Sequence, residues 1–269
     1  FDLMLQAMSG LMSITGEAGG KPVRVGYQVA DLAGGLYLAL GVAAGLVQAQ
    51  ASGTGERVQV SLFDAQMAML TWQAQGYLQG GAVPRASGAR HAMIAPSDIY
   101  RTSDGRWIAL APTGDAFWQA LCAAIGRPGL AADARYATPA ARISNVEALT
   151  DDLADAIGRR TAQEWLDLFE ERRVPAALVL GVDEALAHPL VASRGMVENV
   201  ARPRGGKPVR MLGNPFKFAG QPVLAYPPSL GQDTAALLRG MAGYDDDSLA
   251  ALQAAGVIRT GAALAGASQ

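Results

Sequence analysis

The sequence is poor in the residues that build covalent and metal-held frameworks. It has one cysteine, Cys122, which excludes an internal disulfide and a cysteine-cluster zinc site. Two histidines, His91 and His188, are too few for a multi-histidine centre, so no metal site is expected. Charge is scarce as well. There are 22 Lys+Arg against 24 Asp+Glu, a formal net charge of -2, and charged residues are only 17% of the chain. A nucleic-acid binder usually carries a basic face, and this balance argues against one. Only three of the cations are Lys (Lys21, Lys207 and Lys217), from which no function follows. The opening FDLMLQAMSG shows no basic n-region and no cleavage site, so it is not read as a secretory signal, and a cytoplasmic location is expected. It is already apolar, like the middle of an element, which suggests an upstream segment. What is abundant is apolar surface: 50% of 269 residues are hydrophobic, enough for one large domain or two smaller ones with a real core.

Residues 1–12 read as a short helix ending near Gly10, and 13–27 as a glycine-rich loop. From Leu32 to Ala51 there is no charge at all. The run is long enough to cross a membrane. Its many Ala and Gly residues, and Gln48 and Gln50 within its end, favour a buried helix of a soluble protein, and no membrane is expected. Small residues there would let neighbours approach closely. Ser52–Gly55 is a stop, Arg57–Leu62 alternates like a strand, and Phe63–Leu78 returns to helical spacing. Residues 79–91 read as a loop. The stretch SDIYRTSDGRWIALAP predicts a hairpin turning at Ser103-Asp104-Gly105. Helices follow over 115–126, 145–159 and 161–172, capped at Asn145 and Thr161, with Thr161 and Glu164 forming a capping box. VPAALVLGVDEAL predicts a strand, then a helix. Residues 196–230 read as strands and loops (VENVA, PVRML, PFKFAG), followed by helices near 234–241 and 248–255 and a disordered tail, GAALAGASQ. The fold class is α/β, with segments 1–90, 91–195 (a small α+β domain) and 196–269.

Asp31 stands where an extended approach, Val25–Ala30, meets the long apolar helix. The plain reading is an N-cap, where Asp is among the best residues. The functional reading needs the same geometry. Free backbone N–H groups and the positive helix end favour a carboxylate there, and a poorly hydrated carboxylate can attack an acyl carbon.

The segments QAMSG, TGEAGGKPVRVGYQVADLAGGLYLALG and SGTGERVQVSLFDAQ closely resemble the class III CoA-transferases, also called the CaiB–BaiF family. The hairpin SDIYRTSDGRWIALA and the segments HPLVASRGM, GNPFKFAGQP and PPSLGQDT agree with it. The resemblance implies a Rossmann-like large domain, partial in this chain because an N-terminal part of the family's fold is missing, beside the small domain. It implies interlocked homodimers. Residues 1–90 and 196–269 would belong to the large domain. It implies that CoA passes from an acyl-CoA donor to a carboxylic acid, with Asp31 as nucleophile through anhydride and aspartyl-CoA intermediates. The coenzyme A thioester is then a substrate, and no cofactor is bound permanently.

The racemase branch, which acts on 2-methylacyl-CoA, pairs this Asp with a His at the place of Phe1 and carries a Glu near Gly114. Phe1 cannot move a proton, and both residues are missing, so racemisation is the lesser reading. In the transferase branch an aromatic at that place lines the acyl or thiol site. Residues 86–91 occupy the place of a glycine-rich loop that closes over the intermediates, and only Gly88 among them is glycine. Arg85 and Arg90 are candidates for binding the acceptor carboxylate, and His91 for hydrogen-bonding it. Each has a plain reading as a loop residue. The four tryptophans read as core or interface residues, His188 as structural and Cys122 as inert. A further alternative is a non-catalytic or partner-dependent fragment of a split enzyme.

Overall fold

The computed structural model describes residues 1–203, 206–220 and 224–261. The chain divides into two compact units, one covering Phe1–Val179 and the other starting at Leu180. In the first unit, α1 (Asp2–Met8) is followed by α2 (Val29–Ser52), α3 (Leu62–Met69) and α4 (Thr71–Gly80). Strands β1 (Asp98–Arg101) and β2 (Trp107–Leu110) form the expected hairpin. Then come α5 (Asp115–Ala124), α6 (Pro139–Ser144), α7 (Val146–Ile157), α8 (Ala162–Arg172) and β3 (Ala176–Leu178). The sheet is antiparallel in the order β1-β2-β3, with Tyr100 opposite Ile108 and Ile108 opposite Leu178.

The core lies between Ala95 and Val174. Ile108 and Leu110 alternate inward from β2, while Trp107 points out. They meet Trp118, Leu121 and Cys122 of α5, Leu149, Leu153 and Ile157 of α7, and Trp165 and Phe169 of α8, all at most 2% exposed. The four-residue spacing on α7 puts its leucines and isoleucine on one face. Arg142 is buried with them, donating to Ala95 O at 3.0 Å, Tyr136 O at 3.0 Å and Asp115 Oδ1 at 3.1 Å. Those bonds offset the cost of burying its charge. The hairpin turn is joined to the start of α8. Asp104 accepts the Thr102 hydroxyl at 2.5 Å and the Ala162 N–H at 3.3 Å. The Thr161–Glu164 capping box forms as expected.

The second unit holds α9 (Val182–Ala187), α10 (Pro189–Ser193), the antiparallel pair β4 (Val197–Val200) and β5 (Val209–Leu212), α11 (Thr234–Ala242) and α12 (Asp246–Ala254). His188 caps α10 by accepting the Leu190 N–H at Nδ1, and Asp245 caps α12 by accepting the Ser248 N–H. Both are structural roles. The expected tail lies outside the described residues from 262 onward.

The boundary between the two compact units falls at Val179, within the 91–195 stretch. Both described sheets are antiparallel. Several expectations are corrected. Arg57–Leu62 forms no strand; it has no partner strand among the described residues. Instead Val58 and Leu62 pack side chains onto α2 at Gly34, Gly41 and Gly45; an added Cβ would collide at the first two and be tight at the third. Phe63–Leu78 is broken at Thr71, whose φ is +45°, and PFKFAG carries no strand. Asn145 starts α7, but its side chain donates to Arg135 O and Ala141 O instead of capping. Trp72 and Trp107 are 45% and 44% exposed and stand outside the core. Finally, α2 is not buried. Leu32, Leu36, Leu40 and Val47 are 56%, 69%, 68% and 67% exposed and share the face opposite the glycines. It is the one described helix long and apolar enough to cross a membrane.

Candidate active site

Asp31 sits in the first turn of α2, two positions after its first residue and not at the N-cap. The N-cap is Gln28, whose side chain makes no capping bond. The cap comes from far away in sequence. Asp2 Oδ1 accepts the Ala30 N–H at 2.9 Å. The other oxygen, Oδ2, accepts from Gln6 Nε2 at 2.7 Å. Gln6, fully buried, accepts the Val25 N–H at Oε1 at 2.9 Å. Two side chains one turn apart on α1 therefore hold both ends of the Val25–Ala30 approach. An N-cap bond of this kind is worth about 1 kcal/mol. The Asp31 side chain is left on the exposed side of the turn.

Phe1, adjacent to Asp2, is brought to the start of α2 by the same bonds, and its ring is fully exposed. No sequence motif announces Asp2 or Gln6. Their spacing of four on an apolar helix was the only signal.

The loop around Gly88 is strapped down at several points. Ala86 N–H donates to Ser13 O at 3.1 Å, and Gly88 N–H to Gly16 O at 2.9 Å. Gly88 has φ +68°, a left-handed conformation that favours glycine, and a Cβ there would meet Glu17 Oε2 at 3.0 Å. Arg90 is not free. It makes two bonds to Glu147, at 2.6 and 3.3 Å, and its Nε lies 3.6 Å from Asp98 Oδ2. The hydrogen-bonded Glu147 carboxylate raises the Arg90 pKa, and Arg90 holds Glu147 below the usual carboxylate range. The ring of His91 stacks on Trp72, centroids 5.7 Å apart, and its Nδ1 accepts the Met93 N–H at 3.1 Å. Its Nε2 has no partner among the described residues. Arg85 makes no ion pair among the described residues. No group of three or more possible metal ligands occurs among the described residues.

The model of CoA-transferase family III matches residues 1–234, most of the chain. The chain belongs to this family. It is 35% identical over 221 residues to the acetyl-CoA:oxalate CoA-transferase of Acetobacter aceti, covering 82% of this chain and 55% of that protein. It is 31% identical over 260 residues to the succinyl-CoA:glutarate CoA-transferase of Homo sapiens, covering 96% of this chain and 59% of that one. A CaiB/BaiF family protein from Brucella suis superposes with a TM-score of 0.74 at 31% identity, over 88% of this chain and 61% of the other. The chain thus spans between 55% and 61% of the length of these three family members. The mixed α/β fold with small sheets agrees with the CaiB/BaiF structure.

Proposed function

We propose that this chain carries the nucleophile of a CoA-transferase that moves CoA from an acyl-CoA donor to a carboxylic acid. The observation that supports it most is Asp31: an exposed carboxylate in the first turn of α2, inside the segment matched by the family, on a backbone held by side chains of another helix.

The chemistry is covalent. An Asp31 oxygen bonds to the thioester carbonyl carbon, the C–S bond breaks, and CoA leaves as thiolate. The product is a mixed anhydride. The thiolate attacks the Asp31 carbonyl carbon, expelling the donor acid as carboxylate and leaving an aspartyl-CoA thioester. The acceptor carboxylate attacks that carbonyl, freeing the thiolate and forming a second anhydride. The thiolate then takes the acceptor acyl carbon, and the Asp31 carboxylate returns. Electron pairs balance throughout, with no oxidant or metal.

The other residues take roles consistent with their geometry. Phe1 offers an exposed ring beside the start of α2 to the acyl or thiol portion. Arg85 and His91 Nε2 are open to the acceptor carboxylate, and Arg90 would have to leave Glu147 to join them. Gly88 holds the loop against residues 13–17. The exposed stripe Leu32, Leu36, Leu40 and Val47 favours an assembly that covers it, as the interlocked homodimer expected from the family would. A cytoplasmic location belongs to the same reading.

The test is mass spectrometry after incubation with a panel of acyl-CoAs, with hydroxylamine trapping and peptide mapping. A hydroxamate or CoA adduct at Asp31, lost in Asp31→Asn, is the expected result. Absence of any adduct while CoA still binds would remove Asp31 from the chemistry. Absence of both, restored by a supplied N-terminal partner, would favour the split-enzyme reading.

A further inference from the structure

Asp2 and Gln6 have no part in the reaction scheme, yet their side chains reach across 28 and 19 residues to hold the stretch leading to Asp31. Their bonding pattern is directional. Asp2 is acceptor only, and it takes the Ala30 N–H with one oxygen and the Gln6 amide N–H with the other. That fixes the Gln6 carboxamide, whose oxygen is then turned to the Val25 N–H at 2.9 Å. The Nε2 lies 3.5 Å from Tyr27 O, a marginal contact. The relay therefore sets both the rotation of the first turn of α2 and the path of the backbone entering it. The carboxylate of Asp31 leaves the helix one residue beyond the clamped Ala30 amide.

We infer that Asp2 and Gln6 are positioning residues, whose relay to the Ala30 and Val25 amides aims Asp31 at the thioester carbon. The inference rests on Asp31 being the nucleophile. A reacting atom displaced by about 1 Å loses on the order of a hundredfold in rate, so a clamp worth little in stability can matter greatly to chemistry.

The donor–acceptor order supplies a sharp test. In Asp2→Asn the new amide N–H faces the Gln6 amide N–H; in Gln6→Glu two carboxylates face each other. The double variant D2N/Q6E is complementary again. The oxygen of its introduced amide accepts from the Ala30 N–H, and the N–H of that amide donates to the introduced carboxylate. The carboxylate in turn accepts the Val25 N–H. The rate of Asp31 acylation would be measured in the full chain with saturating acyl-CoA, beside half-saturation and amide hydrogen exchange at Val25 and Ala30. Each single variant is expected to acylate about tenfold to a hundredfold more slowly, with half-saturation little changed and faster exchange. The double variant regains protection and most of the rate. Singles that acylate at the unaltered rate despite faster exchange would overturn the inference while leaving the nucleophile intact. So would a double variant that regains protection without rate. No Asp31 adduct in the unaltered chain, with both amides protected, would instead overturn the nucleophile reading and take this inference with it.

Discussion

The two ends of the first unit are built on opposite principles. Between Ala95 and Val174, large side chains from a hairpin and three helices close over one another, and even an arginine is buried with its bonds satisfied. Between Phe1 and Gly80, the longest helix lies with one face on small contacts and the other bare. The first region is complete in itself. The second is shaped by a few directed bonds and by glycines that admit Val58 and Leu62, and its apolar face is exposed. The proposed chemistry falls in the second region. A carboxylate needs access to a large thioester, and a self-contained core offers none.

The sharpest break between the regions is functional. Asp31→Asn is expected to cut acylation about a thousandfold or more, as loss of a covalent nucleophile does. Its melting temperature should hardly move, since the residue is exposed. A variant that melts early and still acylates would reverse the comparison.

Stability should divide the other way. Trp118→Ala empties a site that is 1% exposed and should cost about 3–5 kcal/mol in denaturant unfolding. Leu36→Ala, at 69% exposed, should cost within about 0.5 kcal/mol in a monomer. A much larger loss at Leu36, growing with protein concentration, would show that a second copy covers the stripe.

The same division governs how much could be read from the sequence. The dense region was legible because its signals are local. An Asp-Gly turn, a capping box and a four-residue apolar spacing each act within a few residues and agree with one another. Asp31 was legible as a carboxylate at a helix start. Its true cap was not, because Asp2 lies far off in sequence and looks like any first-turn acid. The Arg57–Leu62 alternation is real, but alternation specifies a strand only when another strand is there to pair. The burial of α2 failed as an expectation for a related reason. An apolar sequence fixes what a helix prefers to touch, and the described residues supply a partner for one face only. Arg90 reads as a ligand for a carboxylate, and it holds one, but the carboxylate belongs to Glu147.

Reactivity toward small reagents should follow the packing. Burial pushes the Cys122 thiol up to about 12, against an opposing pull from Arg142. Little thiolate forms at neutral pH, so a maleimide should label the native chain far more slowly than the unfolded one. Equal rates would mean that the dense region opens readily.

The smallest expected effect is a pH dependence at the seam between the two regions. Arg90 ties the 86–91 loop to α7 through Glu147, whose pKa it depresses. In the dense region the Thr102 hydroxyl depresses Asp104, and the Thr161 backbone N–H, then its hydroxyl, depress Glu164. A carboxyl with a lowered folded-state pKa stabilises the fold above its unfolded value and loses that contribution as pH falls through the folded one. Unfolded carboxyls titrate near about 4, so the loss should begin just above that pH and continue below it. All three side chains face solvent, which keeps each contribution small. Limited proteolysis separates the seam from the core. Cleavage near Arg85 and Arg90 should rise between pH 6 and pH 3.5 before the Trp118 core melts, and Glu147→Gln should produce the same cleavage already at pH 6. A loop equally protected at both pH values would show that its bonds to Ser13 and Gly16 hold it without the ion pair.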